Sequence, residues 1–228
     1  MTPTHTQPED LARFNMIQQQ IRPWLVSDPT VLDLLERIPR ADFVPASLRS
    51  LAYADCELPL DATNTRHGER MLSPKMEARL LQALKLRPHE KVLQIGTGSG
   101  YLTALMAHKA ETVVTLEHDP AVHQAALAHL STAGVQNVQA LCTDGIAGCP
   151  EHAPFDAMVI CAAVAVVPPD LMTQLKPGGR LVAIVGTAPT MQVQHITRHA
   201  DDSVNAVTLF ETVVPPLHNA PDISRFSF

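Results

Sequence analysis

KVLQIGTGSGYLTALMAHKAETVVTLEHD, from Lys91 to Asp119, reads in order as strand, glycine loop, helix, strand and acidic residue. Val92, Leu93 and Ile95 form a short apolar run without helical period, the pattern of a parallel strand buried on both faces. Gly96, Gly98 and Gly100 then alternate through a tight turn, where a Cβ would block the backbone's path or a ligand's approach. Tyr101 to His108 reads as a helix and Thr112 to Leu116 as a second buried strand. Glu117 follows about twenty residues beyond the loop, where a carboxylate can accept hydrogen bonds from both hydroxyls of a ribose. The segment is therefore read as a nucleotide-type cofactor site built from Gly96, Thr97, Gly98, Ser99, Gly100, Glu117 and His118. Its G-x-G-x-G spacing differs from the dinucleotide fingerprint, whose third glycine comes one place later, and this favours a ligand without a pyrophosphate. The plainer reading of Glu117, a solvated carboxylate in the turn before Pro120, does not explain the glycine loop ahead of it.

Working outward, the pattern predicts one α/β unit with a Rossmann-like, mostly parallel sheet, antiparallel C-terminal strands and an N-terminal helical extension. Residues 1–78 are assigned to the extension and substrate-side loop, and residues 79–228 to the Rossmann-like domain. Residues 1–7 read as disordered. Thr6 and Glu9 could then form a capping box for a helix with the apolar stripe Leu11, Phe14, Ile17 and Ile21. Asp28 and Pro29 open a second helix burying Val31, Leu32, Leu35 and Ile38. Leu51 to Arg70 lacks periodicity and reads as a long loop, a feature that is often functional. Ser73 and Pro74 cap a helix carrying Met76, Leu80, Leu81 and Leu84. Beyond Asp119, a helix over Ala121 to Ala133 is predicted, with strands at Val138 to Cys142 and Ala157 to Cys161 and a helix at Pro168 to Leu175. The Pro177, Gly178, Gly179 break turns the chain into a strand at Leu181 to Val185. Alternation from Met191 to Arg198, returning through Ala206 to Val214, suits antiparallel strands at the sheet edge.

The 228 residues carry a formal charge of −6, which argues against a nucleic-acid partner, because phosphate binding needs clustered Lys and Arg. The longest apolar run, Ala157 to Val167, is too short to span a bilayer, and MTPTHTQPED has no signal-type core. No membrane association and a cytoplasmic location are expected. Cys56, Cys142, Cys149 and Cys161 show no CxxC pairing, and Cys142 and Cys161 read as small buried hydrophobes in core strands. None of the eleven histidines has zinc-site spacing, so no metal is expected. Neither a nucleophile elbow nor a P-loop is present. Asp144 and Gly145 fall where the third strand ends, at the carboxyl edge where open α/β sheets bind ligands. An Asx-turn carboxylate is the alternative reading of Asp144.

Six blocks carry a more specific signal: IPRADFVP (Ile38 to Pro45), AYADCELPL (Ala52 to Leu60), VLQIGTGSGYLTA, CTDGIAG (Cys142 to Gly148), APFDAMVICAA (Ala153 to Ala163) and LKPGGRLVAIVG (Leu175 to Gly186). In this order they resemble the protein-L-isoaspartate O-methyltransferase family, enzymes dependent on S-adenosylmethionine (SAM). The resemblance implies a SAM site over the glycine loop, with Asp144 near the adenine amino group and Ala162 and Ala163 beside the methyl-transfer site. It implies an isoaspartyl protein or peptide as acceptor, whose methyl ester cyclises to a succinimide and reopens partly as aspartate. A small-molecule acceptor on the same fold, or a SAM-binding protein without catalysis, remains the alternative. Two departures stand out. Gln94 occupies a position where the family usually has an acid, and Gln94→Glu would be expected to raise cofactor affinity. ERMLSP (Glu69 to Pro74) replaces the family's Gln-Thr-Ile-Ser substrate segment, placing Leu72 at the acceptor-positioning serine, with Ser73 one residue along and Arg70 at the threonine. Leu cannot donate a hydrogen bond, whereas Arg70 could bind a carboxylate bidentately or remain a solvated loop residue.

Overall fold

A computed structural model describes residues 8–61 and 69–221. Its centre is a seven-stranded sheet in the order β5-β4-β3-β6-β7-β8-β9. The strands are β3 (Lys91–Ile95), β4 (Thr112–Glu117), β5 (Val138–Cys142), β6 (Phe155–Val164), β7 (Leu175–Thr187), β8 (Thr190–Arg198) and β9 (Val204–Thr212). Pairing is parallel from β5 through β7 and antiparallel from β7 to β9, the mixed sheet expected from the sequence. The chain leaves β3 toward β4 and β5, then returns to β6 on the other side of β3. The carboxyl ends of β3 and β6 therefore form a topological switch point, where open α/β sheets leave a crevice.

Strand side chains alternate between faces, and β3 shows what this does. Val92 joins the apolar cluster that holds the N-terminal helices, whereas Leu93 and Ile95 join the cluster on the opposite face. Gln94 points to the same side as Val92, beneath α4 (Tyr101–Ala107). The N-terminal helices α1 (Pro8–Met16) and α2 (Pro29–Arg37), with α3 (Pro74–Leu84), pack into that first cluster. Asp28 caps α2 as expected, accepting from the Thr30 amide at 2.8 Å and the Val31 amide at 3.4 Å. Asp119 does the same for α5 (Pro120–Thr132), accepting from the Ala121 and Val122 amides at 2.7 and 3.0 Å. Ser73 precedes α3 as its cap residue, but only its carbonyl is used, because Pro74 fixes the entry and the side chain makes no capping bond.

Several expectations are corrected. In the first stripe Ile17 and Ile21 are buried but Leu11 is 48% exposed, because the helix changes to a π-turn over Ile17–Ile21 and the apolar face rotates. Thr6, and with it the proposed capping box, lies outside the described residues. The Leu51 to Arg70 stretch is not all loop: β1 (Leu58–Pro59) and β2 (Arg70–Met71) pair antiparallel, Leu58 opposite Met71. Cys142 is exposed, since β5 is an edge strand. The Pro-Gly-Gly break lies inside β7 as an irregularity, where Phe155 faces Leu175 but Ala157 faces Arg180. A Cβ at Gly179 would come within 2.8 Å of the Lys176 carbonyl, so the bend needs glycine there.

Candidate functional site

The cleft opens at the switch point. Glu117, the last residue of β4, is 5% exposed. Its Oε2 accepts from the Gly98 amide at 2.9 Å, and its Oε1 from the amides of His118 at 3.0 Å and Asp119 at 3.2 Å. Three backbone donors thus lock one carboxylate against the glycine loop, and Oε2, with a single donor, retains lone-pair capacity for a ligand. Gly96 and Gly98 line the cleft with φ of +88° and +57°, a region that L-residues with side chains rarely adopt. Gly100 acts differently, because a Cβ there would meet the Ala126 carbonyl and Leu130 at 3.4 Å; its absence lets the loop close on α5. Thr97 and Ser99 line the cleft while their hydroxyls brace the loop, Thr97 to Thr115 at 2.7 Å and Ser99 by accepting from the Tyr101 amide at 3.2 Å.

Gln94 lies below this floor, 1% exposed. Its carbonyl accepts from the hydroxyls of Thr103 at 2.6 Å and Thr115 at 3.2 Å, and its amide nitrogen donates to the Gly96 carbonyl at 3.0 Å. The neutral amide is a joint between loop, helix and strand, needing both a donor and an acceptor. Cys161 and Ala162 enter the cleft from β6 where its pairing with β7 slips between Val159 and Ala163; bulges of this kind re-aim side chains beside active sites. Burial pushes the Cys161 thiol up to about 12.

Asp144 and Gly145 extend the site beyond Glu117 and His118. Burial raises the Asp144 carboxyl, but hydrogen bonds from Asn219 at 2.9 Å and the Ile146 amide at 3.0 Å outweigh it and hold it below the usual carboxylate range. The bond to Ile146 is the Asx turn of the alternative reading, made by a carboxylate that also lines the site. Gly145 is required by Ile95, whose Cγ2 would lie 2.5 Å from an added Cβ. His118 approaches Glu117 with Nδ1 at 3.2 Å and stacks on His218 with ring centroids 4.3 Å apart. The segment around His218 was not anticipated. Pro215, Leu217 and His218 cross the carboxyl edge, tied to Ala163 by its amide to the Pro215 carbonyl at 2.9 Å and by the Leu217 amide to its carbonyl at 2.7 Å. The paired prolines at 215 and 216 were the available signal, as a break in the strand pattern.

Of the three acceptor residues that the resemblance implies, Arg70 and Leu72 line the cleft, while Ser73 is not among its lining residues. Arg70 pairs with Glu57, Nε to Oε2 at 3.3 Å, and donates to the Glu57 carbonyl at 3.2 Å. Leu72 is buried and its carbonyl accepts from Arg40 at 2.6 Å. Sequence reasoning missed Arg40 and Glu77. Arg40 is fully buried and donates to Glu77 Oε2 at 2.9 Å and to the Ala52 carbonyl at 2.6 Å. Glu77, on the first turn of α3, lines the cleft beside Leu72. Burial pushes its carboxyl up to about 7 against the pull of Arg40. Among the described residues no cluster of His, Cys, Asp and Glu could hold a metal ion, and no helix is long and apolar enough to cross a membrane.

The cleft fits the sulfonium cofactor implied by the sequence. Its floor is two positive-φ glycines, the buried carboxylate of Glu117 lines it, and Glu57, Glu69 and Glu117 outnumber the one arginine, Arg70, in its lining. Such an acidic lining attracts a ligand bearing sulfonium and ammonium charges.

A family model described as protein-L-isoaspartate(D-aspartate) O-methyltransferase matches residues 12–220. The chain is 39% identical over 206 residues to protein-L-isoaspartate O-methyltransferase 1 of Rhodopseudomonas palustris, covering 90% of this chain and 82% of that one. It is 42% identical over 174 residues to the Myxococcus xanthus enzyme of that family, covering 76% and 80%. In fold it resembles a solved protein-L-isoaspartate O-methyltransferase with a TM-score of 0.76 at 24% identity, covering 91% of this chain and 65% of that one. A putative Plasmodium falciparum member, solved in complex with S-adenosyl-L-homocysteine, gives 0.73 at 20% identity, covering 92% and 97%. With the match running across both walls of the cleft, the chain belongs to the protein-L-isoaspartate(D-aspartate) O-methyltransferase family of methyltransferases.

Proposed function

We propose that the chain transfers a methyl group from SAM to the side-chain carboxylate of isoaspartyl residues in damaged proteins. The observation that carries this reading is the family match over residues 12–220, which includes the glycine loop, Glu117 and the Arg70 to Pro74 segment. When bound, SAM supplies an electrophilic methyl on sulfur, and the carbon–sulfur electron pair leaves with the sulfur as the carboxylate oxygen bonds to carbon. Glu117 is the proposed acceptor for the ribose hydroxyls. Gly96 and Gly98 let the backbone lie against the methionine part, and Asp144 with Gly145 borders the adenine. An acceptor carboxylate is already ionised at neutral pH, so what the protein must provide is alignment, which can supply several kcal/mol of the barrier. Arg70 is the proposed cationic contact for that carboxylate. We assign this work to the cytoplasm, a reading supported by four unpaired cysteines, which suit a reducing compartment.

Methyl transfer from labelled SAM to a synthetic isoaspartyl peptide, with the aspartyl isomer as control, tests the proposal. A base-labile methyl ester on the isoaspartyl peptide alone is expected. Arg70→Ala should lower that activity and Leu72→Ser raise it, by about one to two decades in rate each. Equal labelling of both peptides, or labelling of neither, would overturn the assignment.

A further inference from the structure

The wall that carries Leu72 instead of a hydroxyl also carries a carboxyl group. Glu77 Oε2 is held by Arg40 Nε at 2.9 Å, and the two terminal nitrogens of Arg40 donate to the carbonyls of Ala52 and Leu72, both at 2.6 Å. No hydrogen bond reaches Glu77 Oε1 from the described residues. The buried side-chain polar atoms without a partner among those residues are Gln20 Oε1 and His123 Nδ1. Glu77 Oε1 is therefore not sealed in, and the surface Glu77 lines is the cleft. Its carboxyl is anchored through one oxygen and presents the other to the acceptor's side of the site.

We propose that Glu77 is an acceptor-binding residue of this chain: in its protonated form it donates a hydrogen bond from Oε1 to one oxygen of the acceptor carboxylate, supplying the donor that Leu72 lacks. This rests on the isoaspartyl reading above. The other acceptor oxygen stays free to attack the methyl group, and Glu77 keeps its proton through the transfer. The surroundings favour that protonated form near neutrality. Arg40 is the cation that opposes it, from the turn Arg40–Phe43. Against Arg40 stands burial; Tyr101 on α4 and the Cys161 thiol on β6 feel the Glu77 charge, and Glu57, Arg70 and Glu117 line the same cleft. Raising the pH ionises Glu77, which then repels an anionic acceptor. Once ionised it has no proton to donate.

The test is kcat/KM for the isoaspartyl peptide from about pH 5.5 to about pH 9, in the wild type, Glu77→Gln and Glu77→Met. The wild type should lose about tenfold per pH unit above the Glu77 value of about 7. Glu77→Gln keeps an oxygen for Arg40 and a permanent N–H donor, so it should stay within about tenfold of the acid-side rate and lose the alkaline fall. Glu77→Met should raise KM by about tenfold or more below about pH 7, where the wild type holds its proton, with kcat changed less, and should lose the alkaline fall. Binding of S-adenosylhomocysteine and a cooperative melt certify that each variant is folded; because Met leaves Arg40 unpaired, Glu77→Gln alone decides if Glu77→Met does not fold. An alkaline fall unchanged in Glu77→Gln, or an unaltered KM in folded Glu77→Met, overturns the role of Glu77. A wild type that binds S-adenosylhomocysteine but labels no isoaspartyl peptide at any pH overturns the acceptor reading, and this proposal with it.

Discussion

Replacing Glu117 with Ala should damage both the cofactor site and the fold, by amounts that the hydrogen bonds allow to be separated. Three backbone N–H groups, of Gly98, His118 and Asp119, donate to this carboxylate at 2.9 to 3.2 Å. A hydrogen bond to a charged group contributes about 1.5 to 3 kcal/mol, and a stranded buried donor costs about 1 to 3 kcal/mol. The cleft is open, so water can reach part of the loop once the side chain is gone, and the sum is discounted to about 2 to 4 kcal/mol. In a chain of this size, about 2 to 4 °C is lost per kcal/mol, so the melt should fall by about 4 to 16 °C. Loss of the bonds proposed to the ribose hydroxyls adds about 3 kcal/mol to the binding free energy, or about a hundredfold in Kd for S-adenosylhomocysteine. Calorimetric titration and thermal denaturation read the two effects independently. Glu117→Gln, which keeps one acceptor oxygen, should fall between Ala and wild type in both. Unchanged affinity in Glu117→Ala would refute the assignment of the ribose site. Weakened affinity with an unchanged melt would refute the claim that the carboxylate braces the loop.

Gly145→Ala would put a Cβ 2.5 Å from Ile95 Cγ2, and a β-branched side chain in a full core cannot yield cheaply, so a loss of about 1 to 3 kcal/mol in urea unfolding is expected. Wild-type stability would show that the strand ends are packed more loosely. Gln94→Glu, expected from the sequence to raise cofactor affinity, should instead destabilise: it sets a carboxylate oxygen against the Gly96 carbonyl where the amide now donates at 3.0 Å. Burying that mismatch costs about 1 to 3 kcal/mol, and equal stability with tighter binding would restore the first expectation. The raised carboxyl of Glu77 also makes stability depend on pH. The folded state holds its proton where the unfolded chain, with a value near 4.5, has released it. The Glu77 contribution is therefore fully present below about 4.5 and is lost as pH rises through about 7. Glu77→Gln should flatten the denaturation profile in that window, and an identical profile would show that Glu77 is ionised throughout.

The parts of this protein legible in the chain are those set by near neighbours. The strand, glycine loop, helix and strand from Lys91 to Glu117 appear where the pattern puts them, because period, turn residues and caps act over a few positions. The Asp28 and Asp119 caps follow for the same reason. Boundaries slipped where distant contacts rule: β6 extends from Phe155 to Val164 because β3 and β7 flank it on both sides. Cys142 looked like core because its own strand is apolar, and only the edge position of β5 exposes it.

The site divides along the same line. Sequence by itself placed the glycine loop beside Glu117, because Gly96 to Gly100 and Glu117 follow adjacent parallel strands whose order comes from one crossover. Tertiary structure alone decided the rest. Arg40 meets Glu77 across 37 positions, Asn219 meets Asp144 across 75, and His218 stacks on His118 from the far end of the chain. No local period encodes such pairs. Their energies come from burial and from matching donors to acceptors, and both exist only once the sheet has brought its carboxyl edge together with the N-terminal helices and the last described residues.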